Sequence, residues 1–307
     1  MKALIFGGAG FIGSHLADKL IGNGLQVTIF ERHGASLENI SHLAGKVPIL
    51  HGDMLDSSDI LDPILDADYI YHLAGSSNPS SKFLSPSDHA NQDVMGTISL
   101  LEQCIKSDVK KLVFISSGGT IYGVPRYLPI DEMHTQNPIT PYGISKLMIE
   151  KFLLLYKYHH GLNCSILRVA NPYGCRQRPG TGQGVIASWI ESIKSNRSID
   201  IWGDGSIVRD YVHISDVVSA IYEVSLSTSK ETIFNIGSGH GLSLLELHER
   251  FESILGFSVS KRFSLGRDVD VPANVLKIDL VMSQIGWTPK VGISDGLAQT
   301  FISAGLI

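Results

Sequence analysis

Cysteine is scarce in this chain. Cys104, Cys164 and Cys175 are the only three in 307 residues, and their spacing is not that of a metal site. An odd, small number excludes a disulfide framework and reads as packed, reduced thiols of a cytoplasmic protein. No apolar run approaches the ~20 residues that cross a bilayer, so no membrane contact is expected. Strand-like sequence begins at Lys2, which leaves no room for a secretory leader. Runs of basic residues are missing too, as is any acidic tail, and the net charge is −5. A nucleic-acid partner is therefore not expected. There is no internal repeat and no low-complexity tract. What remains is 43% hydrophobic and 18% charged residues, the composition of a globular chain with a large core.

The first thirty-one residues carry the strongest local pattern. Lys2 to Phe6 is a short apolar run, followed at once by Gly7-Gly8-Ala9-Gly10-Phe11-Ile12-Gly13 and a helix-like stretch. A second apolar run, Val27 to Phe30, ends in Glu31. Strand, glycine turn, helix, strand and acid in that order suit a dinucleotide. Glycines at 7, 10 and 13 let backbone approach a pyrophosphate, and the helix N-terminus offers free N–H groups and a positive dipole end. The candidate contacts are Gly7, Gly10, Phe11, Ile12 and Gly13. Glu31, 18 residues beyond Gly13, is placed to hold a ribose diol. Its charge would repel a 2′-phosphate, which favours NAD over NADP; Arg32, next to it, is the one local feature that would welcome a phosphate.

Apolar runs alternate with amphipathic stretches as far as residue 170. Strands are expected at Ala3–Phe6, Gln26–Phe30, Pro48–Leu50, Tyr69–Leu73, Lys111–Ser116 and Asn163–Val169, with helices at Phe11–Gly22, Asp59–Leu65, Asp88–Ser107 and Tyr142–Tyr158. This predicts an α/β fold with a doubly wound parallel sheet, covered on both faces. Ligands of such sheets lie beyond the carboxyl ends of the strands. Asp53 and Met54 follow the third strand, and Leu73-Ala74-Gly75 ends the fourth; all five are further cofactor candidates, with Asp53 alternatively a turn residue. Ser76 to Ser87, rich in Ser and Pro, reads as a loop.

Beyond Val169 the pattern changes. An irregular stretch from Asn171 to Gly184 leads to a helix, Val185–Lys194. Ile199–Trp202 and Ile207–Val212 look like short strands around a Gly203-Asp204-Gly205 turn. Ser215 is the expected cap of a helix to Leu226; Phe234–Ile236 is a short strand, Ser243 opens a helix to Leu255, and Gly292–Ile302 forms the last helix. Residues 1–170 are thus a Rossmann unit, and 171–307 mainly a smaller mixed α/β substrate lobe interleaved with it.

Tyr142 and Lys146 stand four apart on an expected helix and share a face. A phenol of pKa ~10 is a poor base at neutral pH. A neighbouring ammonium, and the positive charge of an oxidised nicotinamide, both favour phenolate and bring the tyrosine toward useful proton transfer with an alcohol.

These segments together resemble the extended short-chain dehydrogenase/reductase family, in particular its nucleotide-sugar epimerases, dehydratases and ketoreductases, the UDP-glucose 4-epimerases among them. The resemblance rests on GGAGFIGSHL at 7–16, HLAG at 72–75, FISSGGTIYG at 114–123, PYGISK at 141–146, LRVANPYG at 167–174, WGDGSIVRDYVHISD at 202–216, FNIGSG at 234–239 and LGRDVDVP at 265–272. It implies an NAD(P)-dependent enzyme with Tyr142 as proton donor and acceptor, and Lys146 as its partner and a cofactor contact. It also implies Arg209 and Arg267 on the substrate diphosphate, Asn171 on the same phosphates, and Asp270 in the substrate segment. The purely structural alternatives are pairing of Arg209 with Asp210 or Asp216, and of Arg267 with Asp268. Asp204 and Asp216 read as turn and helix-cap residues. A homodimer built on the helix of Tyr142 and the long helix before it is implied as well, through apolar residues at Phe152–Leu155 and Ile98–Ile105.

Two departures narrow the chemistry. The family usually places a hydroxyl where Gly118 stands, so Thr120, or in second place Ser117, is the expected source of the extra hydrogen bond. Dehydratases carry an Asp-Glu pair at the positions of Gly119 and Thr120, and decarboxylating relatives a Glu at Thr120; neither outcome suits this chain. The expected function is an NAD-dependent nucleotide-diphosphate-sugar 4-epimerase that oxidises the sugar transiently at carbon 4 and reduces it again. A 4-ketoreductase of 4-keto-6-deoxy sugars, or a redox-inactive NAD-binding sensor or scaffold, are the alternatives. The stretch Gly174–Gln183 is short against that of typical UDP-galactose 4-epimerases. No metal is expected.

Overall fold

Short runs of Ile, Val, Leu and Phe, apolar on both sides, fold into a central sheet of seven parallel strands. In the computed structural model these are β1 (Lys2–Phe6), β2 (Gln26–Glu31), β3 (Ile49–His51), β4 (Tyr69–His72), β5 (Lys111–Ser117), β6 (Cys164–Val169) and, numbered in chain order, β10 (Ile233–Ile236). The structure describes residues 1–75, 86–179, 184–266 and 270–307. The order across the sheet is β10-β6-β5-β4-β1-β2-β3. The chain winds outward from β1 to β3 and then returns to lay β4 on the other side of β1. The crevice at the carboxyl ends of β1 and β4 is therefore the switch point where such sheets bind ligands.

Side chains alternate between two cores. Ile5 and Val113 face a cluster with Leu16 and Leu20 of α1 (Phe11–Gly22) and Val217, Ile221 and Val224 of α7 (Ile214–Leu226). Their neighbours Phe6 and Phe114 face the other cluster. That one contains Ile60 and Ile64 of α2 (Ser57–Leu65), Leu100 and Leu101 of α4 (Gly96–Cys104), and Ile149 and Leu153 of α5 (Pro141–His160). Each of these side chains is fully or almost fully buried, which stabilises the layers by about 1.5–3 kcal/mol apiece.

The second half of the chain feeds both parts. α7 and β10 complete the large sheet and its cover, while the remaining elements build a smaller lobe. Its sheets are β7 (Asn171–Tyr173), β9 (Val208–His213), β11 (Gly241–Ser243) and β13 (Ala273–Asn274) in one, and β8 (Ile199–Trp202) with β12 (Lys261–Ser264) in the other. The helices α6 (Val185–Lys194), α8 (Leu244–Leu255) and α10 (Ile293–Ala304) pack on a core of Trp189, Leu247, Phe251 and Phe301. α9 (Asp279–Ile285) leans on β10. Ser243 and Glu246 form a reciprocal capping box at the start of α8, worth ~1 kcal/mol.

Four expectations are corrected. The runs either side of Gly203-Asp204-Gly205 do not pair with each other. β8 pairs with β12 and β9 with β11, β13 and β7, because Gly203 and Gly205, both at positive φ, turn the chain into a different sheet. The helix α7 is capped by His213, whose Nδ1 accepts the Ser215 N–H at 3.4 Å, because β9 runs directly into it. The single helix expected at 88–107 is instead α3 (Pro86–His89), a π-helical stretch (Ala90–Met95) and α4. There Thr97 Oγ1 donates back to the Asp93 carbonyl at 2.6 Å, the kind of side-chain competition that widens a helical turn. Asn171–Tyr173, expected to be irregular, is a strand. Residues 76–85 of the expected Ser76–Ser87 loop lie outside the described residues; Pro86 and Ser87 open α3.

Candidate active site

The turn between β1 and α1 has the shape of a phosphate cradle. Gly7 sits at φ +84°, and a Cβ there would come within 2.8 Å of the Ala74 nitrogen at the end of β4. A Cβ on Gly13 would lie 2.1 Å from the Gly7 carbonyl. The fourth- and first-strand ends thus approach so closely that only glycine fits, which leaves bare backbone facing the switch-point crevice. Gly10 is the N-cap of α1 with no side-chain cap, so the helix's first N–H groups, those of Phe11, Ile12 and Gly13, are left for a ligand. Glu31 ends β2 and accepts the Ala9 N–H at 2.6 Å. Its carboxyl is pushed up by burial; the Ala9 bond and the charges of Arg32 and His51 oppose that. Arg32, Asp53, Met54, Leu73, Ala74 and Gly75 follow the neighbouring strand ends. Asp53 spends one oxygen on a turn, accepting from the Leu55 N–H at 2.9 Å. The bare cradle, the uncapped helix and the acid at the second strand fit NAD.

The candidate reacting groups stand on α5, packed against β5. Thr140 caps α5 by accepting the Gly143 N–H, Pro141 starts the helix, and Tyr142, Lys146 and Glu150 follow at intervals of four on one face. Lys146 Nζ donates to the Ile115 carbonyl of β5 at 3.0 Å, and lies 4.7 Å from the centre of the Phe114 ring and 5.7 Å from that of Tyr142. Burial lowers the lysine to about 8, with Asp93 and Glu150 acting the other way. Burial pushes the Tyr142 phenol up, Asp93 adds to this, and the nearby Ser117 hydroxyl opposes it.

Of the two hydroxyls expected to assist the phenol, Thr120 Oγ1 is buried without a hydrogen-bond partner among the described residues, and Ser117 lies near enough to Tyr142 to act on its titration. Gly118 has no room for a side chain. A Cβ there would stand 2.5 Å from Leu276 Cδ1 and 3.0 Å from the Arg168 carbonyl.

The expected substrate contacts gather on β7, β9 and the segment before β13. Arg209 Nη1 donates to the carbonyls of Val208 and Val271, and Nη2 pairs with Asp270 at 3.3 Å. Its carboxylate partner is thus Asp270. Asp210 is fully buried and accepts from Ser238, Gly239 and Leu276, while Asp216 accepts the backbone N–H groups of Lys290 and Val291, tying down a distant loop instead of capping its own helix. Asp204 closes a turn by accepting from Ser206. Asn171 Nδ2 donates to the Asp210 carbonyl at 3.1 Å. Arg267 and Asp268 lie outside the described residues, as do residues 180–183 of the Gly174–Gln183 stretch.

Three contributors went unnoticed in the sequence. Asp93, buried in the π-helical stretch, acts electrostatically on Tyr142, Lys146 and His72; no local pattern marks it. Asn274 Nδ2 donates to the Gly118 carbonyl at 3.0 Å, and nothing in a two-residue strand hints at it. Glu150 was discoverable, since it continues the spacing of Tyr142 and Lys146.

Comparison with known proteins agrees with this geometry. Residues 3–237 match the model of the NAD dependent epimerase/dehydratase family. The UDP-glucose 4-epimerase of Mycolicibacterium smegmatis is 33% identical over 316 residues, covering 98% of this chain and 97% of that protein. The UDP-glucose 4-epimerase of Thermotoga maritima, solved with UDP-glucose, superposes with a TM-score of 0.92 at 34% identity, covering 99% and 98% of the two chains. That of Thermus thermophilus, solved with NAD, gives 0.90 at 31% identity and 99% of each.

Proposed function

The chain belongs to the NAD-dependent epimerase/dehydratase family and is an NAD-dependent nucleotide-sugar 4-epimerase; we propose that its substrates are UDP-glucose and UDP-galactose, and that Ser117, Tyr142 and Lys146 carry the proton transfer. The observation that carries the assignment of roles is the buried Lys146 ammonium, bonded to the Ile115 carbonyl at 3.0 Å and 5.7 Å from the centre of the Tyr142 ring. The relatives of similar length and high coverage that act on UDP-glucose support the choice of substrate.

NAD, held by Gly7, Gly10, Phe11, Ile12, Gly13 and Glu31, supplies a reversible hydride acceptor. Tyr142 takes the proton of the sugar's 4-hydroxyl while Ser117 donates a hydrogen bond that holds the developing oxyanion. The Lys146 ammonium stabilises the phenolate. Once the 4-keto sugar has turned, so that the hydride would return to the other face of carbon 4, Tyr142 gives the proton back to the carbon-4 oxygen. Arg209, with Arg267 and Asn171, grips the diphosphate, since guanidinium forks match phosphate oxygens; Asp270 aligns Arg209 for this. Gly119 and Thr120 offer no acid–base pair for loss of water, so the keto sugar is reduced and not dehydrated.

The test uses purified protein with no added cofactor, incubated with UDP-, dTDP- and GDP-sugars and followed by NMR. Interconversion of UDP-glucose and UDP-galactose is expected. Stoichiometric consumption of NAD(P)H by a 4-keto sugar, with no interconversion, would replace this reading by a ketoreductase.

The protein acts as a homodimer in the cytoplasm. Ile144, Met148 and Leu155 of α5 are 48%, 40% and 46% exposed, and Pro138, Leu147 and Phe152 line a shallow groove beside the first two. A second copy of the same helix is the occupant that fits, with Ile105 beyond α4, 38% exposed, extending the surface. Leu153, from the same stretch, is buried in the protein's own core.

A further inference from the structure

The carboxylate of Glu150 is the hub of a buried polar cluster directly beneath the reacting groups. Ser116 Oγ donates to Glu150 Oε1 at 2.6 Å. Arg168 Nε donates to the same carboxylate at 3.1 and 3.3 Å, and Nη2 at 2.7 Å. Both charged side chains are 1% exposed. Arg168 also donates through Nη1 to the Tyr122 hydroxyl at 3.0 Å and to the Glu132 carbonyl at 3.1 Å. The Tyr122 hydroxyl in turn donates to Asn235 Oδ1 at 2.7 Å, and the Asn235 N–H donates to Glu132 Oε1 at 2.8 Å.

Such a cluster is a costly way to stabilise a core. Desolvating a guanidinium and a carboxylate offsets most of their attraction, and apolar residues of similar volume often do as well. Its position suggests another use. Glu150 is one turn beyond Lys146 and two beyond Tyr142 on the same face of α5. Ser116 is the residue before Ser117 on β5, and in the sheet it stands opposite Arg168. The distance from β5 to α5 is the distance across which Lys146 Nζ reaches the Ile115 carbonyl beside the Tyr142 ring. Packing alone leaves that separation free to adjust; the charge-assisted bonds of Ser116 on β5 and of Arg168 on the neighbouring β6 to one carboxylate of α5 do not.

We propose that Ser116, Glu150 and Arg168 are positioning residues, which fix the end of β5 against α5 so that Lys146 is held beside Tyr142 in reacting geometry. The role in turnover rests on the epimerase reading; the geometry it controls does not.

The test uses the full chain loaded with NAD and labelled with [13Cζ]tyrosine, the Tyr142 resonance being identified by its loss in Tyr142→Phe. Ser116→Ala removes one bond from Glu150 and leaves the Arg168 pair intact; Glu150→Asp shortens the carboxylate by one methylene. Both are expected to lower kcat about tenfold, within the range that small misplacements cost, with KM for UDP-glucose and bound NAD changed less than about twofold. Both should also raise the pH at which Tyr142 ionises, by ~0.5 unit, as the Lys146 ammonium is held less closely beside it. Ser116→Thr, which keeps the hydroxyl, should restore both readouts. A Tyr142 resonance that titrates as in the unmutated protein overturns the proposal, whatever happens to melting temperature or activity. Should the unmutated protein convert no UDP-sugar, the epimerase reading fails while the Tyr142 titration still decides this one.

Discussion

The Lys146 ammonium of α5 donates to the Ile115 carbonyl of β5 at 3.0 Å, two residues before Ser117, whose hydroxyl is proposed to assist Tyr142. Replacing Ser117 with Ala should lower kcat by about 10²-fold, the loss of one donor to a developing oxyanion, with little change in KM. Tyr142→Phe should abolish turnover and leave NAD and UDP-sugar binding intact in calorimetry. Undiminished kcat in Ser117→Ala would sink the assignment of the second hydroxyl.

A hydroxyl cannot simply be moved to position 118. Gly118→Ser places its Cβ against Leu276 Cδ1 and the Arg168 carbonyl, and should destabilise the protein by about 1–3 kcal/mol. Combining it with Leu276→Ala removes only the first of these clashes, so part of the loss should remain. Urea unfolding of the two variants and the parent measures this; a fully stable single variant would contradict the packing.

Lys146 links stability to pH. Its folded value, about 8, lies below its ordinary one, so between about 8 and 10.5 the unfolded chain binds the proton more tightly. Stability contributed by this group therefore rises with pH across that window. Lys146→Met should show no such rise, and the difference between the two proteins in urea at pH 7, 8.5 and 10 isolates it. The same variant should lose most of its activity at every pH.

The role proposed for Glu31 is the choice of NAD over NADP. On that reading Glu31→Ala removes a carboxylate for the ribose hydroxyls and a charge against a 2′-phosphate, with Arg32 retained. Fluorescence titration should find NAD binding weakened about tenfold or more and NADP binding strengthened. Unchanged discrimination would place cofactor choice elsewhere.

Ile144 and Met148 should lie in the dimer interface. Ile144→Glu buries a charge there if a second copy covers α5, and should shift the mass in light scattering from two chains to one. A variant that keeps the parent's mass would remove α5 from the interface.

Much of the site was legible because it is local. The glycines of residues 7 to 13, the acid at 31 and the Tyr142–Lys146 interval are each set by one turn or one helix, and periodicity sufficed to place the six early strands within a residue or two. The surroundings of Gly118 are not local: Leu276 leaves no room for a side chain there, and Asn274, 156 positions away, donates to its carbonyl. The same holds for β8, whose partner β12 lies sixty residues on; proximity in sequence pointed to β9 instead. Asp93 was invisible for a different reason: a carboxylate amid polar neighbours reads as solvent-facing, and only the π-helical turn carries it inward. Arg209 pairs with Asp270 and not with its neighbour Asp210, because strand alternation separates the latter two.

The strand β10 has a consequence for how the protein comes into being. It hydrogen-bonds to β6 at the sheet's edge, and α7, just before it, covers α1 near the beginning of the chain. On a ribosome, the NAD-binding half has been synthesised by residue 170 but lacks its last strand and one helix of its cover until Ile236 has emerged. Until then the flank of β6 is an open edge and the apolar side of α1 is wet, both of them surfaces that associate with the wrong neighbour. Nascent chains halted between residues 170 and 236 should therefore depend on chaperones, whereas those past 236 have the means to close the sheet.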